Sequence, residues 1–375
     1  MPTAPKIATI AEFLTTMGGA ENVVLALHEA FPNAPVYTAL YEPDKLTHEF
    51  TSIDVRTTWL QKIPRQLRFT HKLFPTLQVR AFRSLDLSEY DIIITSSYLN
   101  ANQVRKTRPG QLLISYCHTP ARYYWSHYKQ YKKQPGFGKL DPLIRLLIPL
   151  FVPHQRKLDY EAAQKVDLFI ANSTETQKRI KKYYNRPSII IHPPVEVARF
   201  NPAKAREDYY VTTGRQLPYK RYDLVVAACT KLGIPLKVFG NGPEHKKLVK
   251  MAGPTVSFHT DRFGDASDAE LEKALNNAKG WLYAAEEDFG IVQVEALAAG
   301  APVITYGKAG ALDIVQDMES GVLFYQQTTG AVIDAIKRAE QVDFLPATLN
   351  RKARRFDKSL FLTKIKKVVG DTIQQ

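Results

Sequence analysis

The sequence holds little cysteine, long stretches without acid, and none of the common strings that hold metals or cradle nucleotide phosphates. Cys117 and Cys229 are the sole cysteines in 375 residues. That number excludes a disulfide framework and makes a reducing compartment the simplest reading. There is no Gly-x4-Gly-Lys-Ser/Thr loop, no His-Glu-x-x-His and no Cys-x-x-Cys, which sets aside P-loop, zincin and thioredoxin-like chemistry. Asp-x-Asp, an acid pair that can hold a divalent ion on a diphosphate, is also absent. Any diphosphate bound here must then be stabilised by side-chain cations and helix ends. FGNGPEH (239–245) resembles a dinucleotide fingerprint but carries His245 in place of the last glycine, so it is a weak match. Long apolar runs are missing too. LIRLLIPLFV (143–152) spans ten residues, includes Arg145, and is about half of the roughly 20 residues a bilayer span needs. The N-terminus MPTAPKIATIAEFL lacks a basic segment followed by an unbroken apolar core, so no secretory leader is expected.

What is abundant is positive charge. Lys and Arg number 51 against 37 Asp and Glu, a net of +14. Residues 1–198 hold 26 basic and 16 acidic side chains (net +10), and the remainder 25 and 21 (net +4). Residues 55–85 and 92–140 contain no acid, with seven and eight basic residues respectively. The first half should therefore carry a field suited to phosphates, nucleic acid or an anionic membrane, although a solvated basic surface fits the same counts.

Apolar periodicity alternates between strand and helix along the whole chain. KIATIA (6–11), DIIITSS (91–97), QLLISYC (111–117), VDLFIAN (166–172) and SIIIH (188–192) read as buried strands of a parallel sheet. Val23, Leu27 and Ala30 or Phe31 follow at helical spacing after the first, and TETQKRIKKYY follows Asn172, with Asn172 and Glu175 spaced as a cap and its partner. A second series begins near residue 209 with YYVTTG, PLKVFG, TVSFH, GWLYAA and APVITYG. Its helices include one with Ser267 and Glu270 in capping-box spacing and one that stops at Gly300. A chain of 375 residues, at about 100–200 per domain, is expected to form two Rossmann-like, doubly wound α/β domains with an interdomain cleft. The proline-rich joint IHPPVEVARFNP gives expected domains of 1–198 and 199–350. Segment 351–375 reads as an amphipathic helix, with Phe356, Leu360 and Val368 or Val369 on one side, packing back on the first domain or capping the second.

The string EEDFGIVQVEALAAG (286–300) carries Glu287 and Glu295, eight apart, across a strand-to-helix turn. Between them, Phe289, Gly290, Ile291 and Val292 can present backbone N–H groups at a helix start, where anions bind without a side chain. The bare spacing equally fits surface glutamates flanking a helix. Arg215 and Lys220 follow the strand YYVTTG, where two cations suit a diphosphate leaving group; Arg221 competes with Lys220. Gly18 and Gly19 permit a phosphate to approach a helix start, or make a plain turn. His118 follows the strand QLLISYC at its carboxyl end, as a structural or a functional histidine. Arg122 and Tyr123 line an acceptor side or pack a helix. The tract 59–83 has six basic residues, with Leu67, Phe74 and Leu77 near helical spacing, and reads as a basic amphipathic helix in which Arg65, Arg68 and Lys72 meet an anionic membrane, or as an ordinary surface helix.

Taken together, these strings resemble the retaining glycosyltransferases of family 4, which have the GT-B fold. EEDFGIVQVEALAAG is similar to the family's E-x7-E signature. TMGGAENVV (16–24) resembles its Gly-Gly-Ala-Glu loop, and TTGRQLPYKRYDLVV (212–226) its Gly-Arg-x4-Lys start of domain two. SYCHTPARYYW (115–125) resembles the subgroup that includes O-antigen mannosyltransferases. The resemblance implies that Glu295 bonds a ribose and Glu287 the donor hexose. It implies that the amides of 289–292 hold sugar and diphosphate, and that Arg215 and Lys220 neutralise the diphosphate. Gly18 and Gly19 would approach the phosphate and acceptor side, with His118 beside the reacting sugar.

The expected activity is hexose transfer with retention from a nucleotide diphosphate sugar, GDP-mannose by the subgroup resemblance, with no metal and no separate cofactor. The expected acceptor is a saccharide, free or carried on a polyprenyl diphosphate, at the cytoplasmic face of a membrane where the chain is peripheral. Closure of the domains would exclude water. Nucleic acid is not expected as a partner. The alternatives are a UDP-sugar-dependent transferase or nucleotide-sugar epimerase on the same fold, and a non-catalytic basic adaptor for membrane or nucleic acid. Departures from the family pattern fall at Ala11-Glu12, Ala284, Ala309, Asp313 and FHTDRFGD (258–265), and they bear on the donor more than on the reaction class.

Overall fold

The computed structural model describes residues 5–373 apart from 66–67, 69–74, 134, 136–137, 139–140, 203–205 and 260–267. Among the described residues the first sheet has seven parallel strands. They are β1 (Ile7–Ala11), β2 (Val36–Thr38), β3 (Val55–Thr57), β4 (Ile92–Ser97), β5 (Leu112–Cys117), β6 (Leu168–Ala171) and β7 (Ile189–Ile190). Their order is β3-β2-β1-β4-β5-β6-β7. The β-branched runs are buried on both faces, as a sheet covered by helices requires. Ile93 and Leu113 point into a cluster with Phe82 and Leu87. Their neighbours Ile92, Ile94 and Ile114 point the other way, toward Val23 and Leu27 of the helix Gly19–Ala30, as the two-residue period of a strand demands.

The second sheet has six parallel strands among the described residues. These are β8 (Tyr210–Thr213), β9 (Leu236–Phe239), β10 (Val256–His259), β11 (Gly280–Tyr283), β12 (Val303–Tyr306) and β13 (Gly321–Phe324), in the order β10-β9-β8-β11-β12-β13. In each sheet the order reverses beside the first strand, between β1 and β4 and between β8 and β11. Such a reversal leaves a crevice beyond the carboxyl ends of those strands, where ligands of open α/β sheets bind.

The chain divides into one unit of Met1–His192 with Phe361–Gln375 and another of Pro193–Leu360. The joint therefore falls at 192/193 rather than 198/199, and the second unit runs to Leu360 rather than 350. The last helix, Lys358–Ile373, buries Phe361, Ile365 and Val369 against Ile92, Ile94 and Tyr116 of the first sheet. This corrects the expected stripe. Leu360 is 41% exposed, and Phe356 sits in the second unit's core. The reason is a break at Asp357, whose extended backbone follows the short turn Arg354–Phe356 and whose Oδ1 accepts from Ser359 N at 3.0 Å. The helical period restarts there, one residue out of step with the pattern read through the break.

Two further local expectations shift. The helix Thr174–Tyr184 is capped by Ser173, whose Oγ accepts from Thr176 N at 3.1 Å, not by Asn172. The tract 59–83 is not one helix: a short turn, Trp59–Lys62, precedes Pro64, and a helix, Pro75–Arg83, begins at the next proline. Proline lacks the N–H that an uninterrupted helix would need at either point.

Candidate active site at the carboxyl ends of the second sheet

The turn after β8 is shaped by backbone contacts. Gly214 takes φ 122°, and a Cβ there would lie 2.8 Å from the Tyr222 hydroxyl, which donates to Thr213 O. Arg215 follows, exposed. Gln216 is buried; its N donates to Asn241 O at 2.8 Å and its Nε2 to Gly240 O at 2.7 Å. Across from it, a Cβ on Gly240 would stand 2.5 Å from Gly214 O, and one on Gly242 2.6 Å from Gln216 O. The glycines of FGNGPEH thus let two turns touch main chain to main chain. That accounts for the string without a dinucleotide.

Lys220 and Arg221 end the same turn and diverge. Lys220 Nζ lies 2.8 Å from Glu287 Oε1, with both side chains about one-fifth exposed (21% and 18%). Arg221 instead donates through Nε and NH2 to the Asp223 carboxylate at 3.1 and 3.2 Å. Glu287 stands beyond the end of β11. Its Oε1 also accepts from the Tyr283 hydroxyl at 2.5 Å. Burial, followed by the charge of Glu287, holds the Tyr283 phenol well above its usual range, so it remains a donor. The Glu287 carbonyl accepts from Gly310 N at 3.0 Å. A Cβ on Gly310 would lie 2.2 Å from Phe289 O, so this loop is packed backbone on backbone. Ala309, where the family pattern has glycine, takes φ 54°, a conformation that costs a non-glycine residue about 1 kcal/mol.

The loop then turns into the helix Ile291–Ala298. Gly290 is its N-cap, at φ 94° and ψ 67°, with no side-chain cap bond. The first-turn amides are the kind of donors that helix ends leave open. Phe289 turns its ring into the core, 5.5 Å from Phe356, and Ile291 and Val292 pack against the same core. Glu295 is on this helix, its Oε1 3.4 Å from Arg199 NH2. Arg199, which also lies 3.5 Å from Glu272, was missed in the sequence, as was Tyr283. Arg199 lies within the joint string, and Tyr283 precedes Glu287 by four residues, so only the latter had a local signal. The structure thus brings Lys220, Tyr283 and Glu287 together, with the uncapped helix start next in chain and Glu295 one helical stretch further. Thr260, Asp261 and Arg262 lie outside the described residues.

In the first unit, His118 follows β5. Its Nε2 is 2.8 Å from Ser96 Oγ, its N–H donates to Ser97 O at 2.9 Å, and its carbonyl accepts from Thr176 Oγ1 at 3.0 Å. Gly18 is the N-cap of the helix Gly19–Ala30, in extended backbone. The Glu21 carboxylate folds back so closely that a Cβ on Gly18 would lie 3.0 Å from Oε2. Burial pushes this carboxyl up to about 7. Glu12, not singled out as a site residue, is 1% exposed. Its Oε1 accepts from Ser97 Oγ at 3.1 Å and from the amides of Tyr98, Leu99 and Ala101 at 3.3, 2.8 and 2.8 Å. Oε2 is buried without a hydrogen-bond partner among the described residues, and burial raises this carboxyl's pKa.

Arg122 is half-buried, and Tyr123 is exposed with its ring 4.2 Å from Tyr131. Arg65 and Arg68 both reach Glu42, at 3.0 Å each. Arg68 also donates to the carbonyls of Gln61 and Ile63 at 2.9 and 3.0 Å. It is a folded-in brace rather than a membrane-facing cation, because Glu42 lies across the turn and satisfies it. Lys72, Leu67 and Phe74 lie outside the described residues. Among the described residues no cluster of three or more His, Cys, Asp or Glu could hold a metal ion, and no helix is long and apolar enough to cross a membrane.

Comparison with known proteins places this geometry. Residues 17–199 match the model described as Glycosyltransferase Family 4, and residues 195–356 that described as Glycosyl transferases group 1. Each model matches just under half of the chain, and together they cover residues 17–356. The E-x7-E string, Arg215 and Lys220 fall in the group 1 domain; Glu12 precedes the matched part of the family 4 domain. The chain is 27% identical over 230 residues to a D-inositol 3-phosphate glycosyltransferase of Nocardioides sp., covering 49% of this chain and 48% of that protein. It is 26% identical over 223 residues to the Streptomyces avermitilis protein of the same name, covering 50% and 47%. The chain thus spans about half the length of these curated relatives. Among solved structures, Anabaena HepE in complex with UDP and glucose superposes with a TM-score of 0.71 at 16% identity, covering 98% of this chain and all (100%) of that one. Sucrose-phosphate synthase of Thermosynechococcus elongatus gives 0.73 at 17%, covering 98% and 99%. The fold is GT-B.

Proposed function

We propose that this chain transfers a hexose, with retention of anomeric configuration, from a nucleotide diphosphate sugar to a saccharide acceptor. The observation that carries the reading is the Lys220–Glu287 pair at 2.8 Å, beyond the ends of β8 and β11 and next to an uncapped helix start. In the free protein the ammonium and carboxylate neutralise each other. A bound donor offers each a better partner: phosphate oxygens for Lys220, and sugar hydroxyls for Glu287, whose other neighbour Tyr283 keeps it oriented. Arg215 and the amides of Ile291 and Val292 add positive potential where the diphosphate gains charge as the glycosidic bond breaks. These groups do what a divalent ion does elsewhere, so the reading needs no metal. His118, whose ring is held by Ser96, is not needed as a general base. The departing phosphate can take the acceptor proton.

The donor we favour is GDP-mannose, supported by SYCHTPARYYW. A UDP-hexose is the second reading, favoured by solved neighbours whose complexes contain UDP and UDP-glucose. The acceptor is a saccharide on a polyprenyl diphosphate or otherwise close to an anionic membrane, on the cytoplasmic side.

A thermal-shift panel of GDP, UDP, GDP-mannose and UDP-glucose tests the donor, because a ligand of the folded form must raise its Tm. A shift with GDP compounds supports the first reading, and a shift with UDP compounds alone the second. No shift with any of them, at millimolar ligand, sinks both.

A further inference from the structure

The most apolar stretch of the sequence goes only partly into the core. It forms the first half of the helix Asp141–Gln164, and its outward side is bare. Leu143, Leu146, Leu150 and Phe151 are 54%, 71%, 72% and 51% exposed. Leu143, Leu146 and Leu150 recur at i, i+3 and i+7, which puts them on one stripe. Exposed Lys157 continues that stripe. The inward side has its own packing: Val152 and Ile148 lie against Ala121 and Tyr124, and buried Asp159 accepts from Trp125 Nε1 at 2.6 Å and Tyr184 OH at 2.9 Å. The leucine stripe is therefore surplus to the fold.

Basic residues flank it in the sequence and on the adjoining short helix. No carboxylate occurs from 142 to 158. The short helix Tyr128–Lys133 brings exposed Lys129, Lys132 and Lys133. It is pinned to the long helix by Arg156, whose guanidinium lies 4.9 Å from the Tyr128 ring centroid and 5.4 Å from that of Trp125, and donates to Tyr124 O at 2.6 Å.

We propose that this face, the leucine stripe of residues 143–151 with the lysines of 129–133, docks the chain onto an anionic lipid bilayer. The leucines would enter the headgroup and upper acyl region while the lysines meet lipid phosphates. The apolar stripe alone would suit many occupants. The exposed lysines of the adjoining helix, in a half-chain of net +10 (26 basic against 16 acidic), select an anionic surface. The inference rests on the membrane-proximal part of the proposed function for its meaning. It moves the contact away from 59–83, where Arg68 is occupied by Glu42.

The test is flotation of the full chain with phosphatidylglycerol/phosphatidylcholine vesicles and with phosphatidylcholine alone. The wild type should float with the mixed vesicles, and less at high salt. Leu146→Ser/Leu150→Ser should weaken binding about a hundredfold, and Lys129→Glu/Lys132→Glu/Lys133→Glu at least as much, at about fivefold or more per charge. Lys246→Glu/Lys250→Glu, on the other unit, should change little. Wild-type protein that stays unbound, or a leucine variant that floats normally, overturns the proposal. So does a wild type that sediments as a dimer and becomes monomeric in the leucine variant with vesicle binding unchanged, since the stripe would then serve a second copy. No donor or acceptor is present, so this result is independent of whether transfer occurs.

Discussion

The two sheets share one strand order around their reversal points but use the crevice there in opposite ways. Beyond β8 and β11, Lys220 and Glu287 stand partly exposed beside a helix start without a side-chain cap. Beyond β1 and β4, the amides of Tyr98, Leu99 and Ala101 converge in the same manner on a carboxylate, but it is the chain's own Glu12, buried to 1% exposure. The helix start at Gly18 is likewise covered by the chain's own Glu21. One unit thus sets a partly exposed cation–carboxylate pair at its crevice, and the other a carboxylate buried under main-chain amides. Identical topology does not imply identical ligand affinity; the carboxylate beyond β11 is partly exposed and paired with a cation, whereas the one beyond β1 is buried against amides.

The largest effect that would break this comparison is at Glu287. Glu287→Ala should lower the transfer rate about 100–1000-fold with the far-UV spectrum intact, as measured by initial rates with saturating donor. Near-wild-type turnover would remove Glu287 from the site. Next comes Lys220→Ala, expected to weaken nucleoside diphosphate binding about tenfold or more in calorimetry. Arg221→Ala should change it little, because Asp223 already holds that guanidinium. The reverse ranking would exchange their roles.

The third test works on the closed crevice. Glu12→Ala strands buried amides and should lower Tm by about 5–10 °C. If Glu12 occupies an anion-type nest, inorganic phosphate should recover part of that loss and stabilise the variant more than the wild type. Equal phosphate shifts in both proteins would remove the parallel between the sheets. The smallest effect is a pH dependence. Glu21, pushed up to about 7 by burial, titrates near 4.3 when unfolded. Its folded form binds the extra proton between these values, so its contribution is fully present below about pH 4 and is lost as pH rises through 7. Glu21→Gln should flatten that part of the profile and raise Tm at pH 8 by about 2–4 °C, measured by scanning calorimetry across pH 5–8. Parallel profiles would place Glu21 in a better solvated setting.

The α/β class and the longer strands were legible because β4, β5 and β6 are short, largely apolar runs buried on both faces, a pattern that survives without knowledge of partners. The strands β2, β3 and β13 went unread: each is three or four residues long, and its identity comes from pairing with a distant neighbour. The leucine stripe of 143–151 was visible as an apolar run, yet its exposure was not, because a helix's outward side is decided by what packs behind it. At the candidate site the E-x7-E spacing and the two cations could be quoted from the string. Which cation meets Glu287 could not, since Lys220 and Arg221 are adjacent and the turn alone separates their directions. Glu12 was noted only as a departure from a pattern; its amide partners are 86 to 89 positions away.

The interlock between Gly214, Gln216, Gly240 and Gly242 has a consequence for engineering. These turns hold each other through main-chain atoms at separations that leave no space for a methyl group. A transplant aimed at donor choice therefore has to carry residues 214–216 and 240–244 as one cassette. Moving either alone would put foreign side chains where the other strand's peptide already stands, and would displace Arg215 before any selectivity could be read.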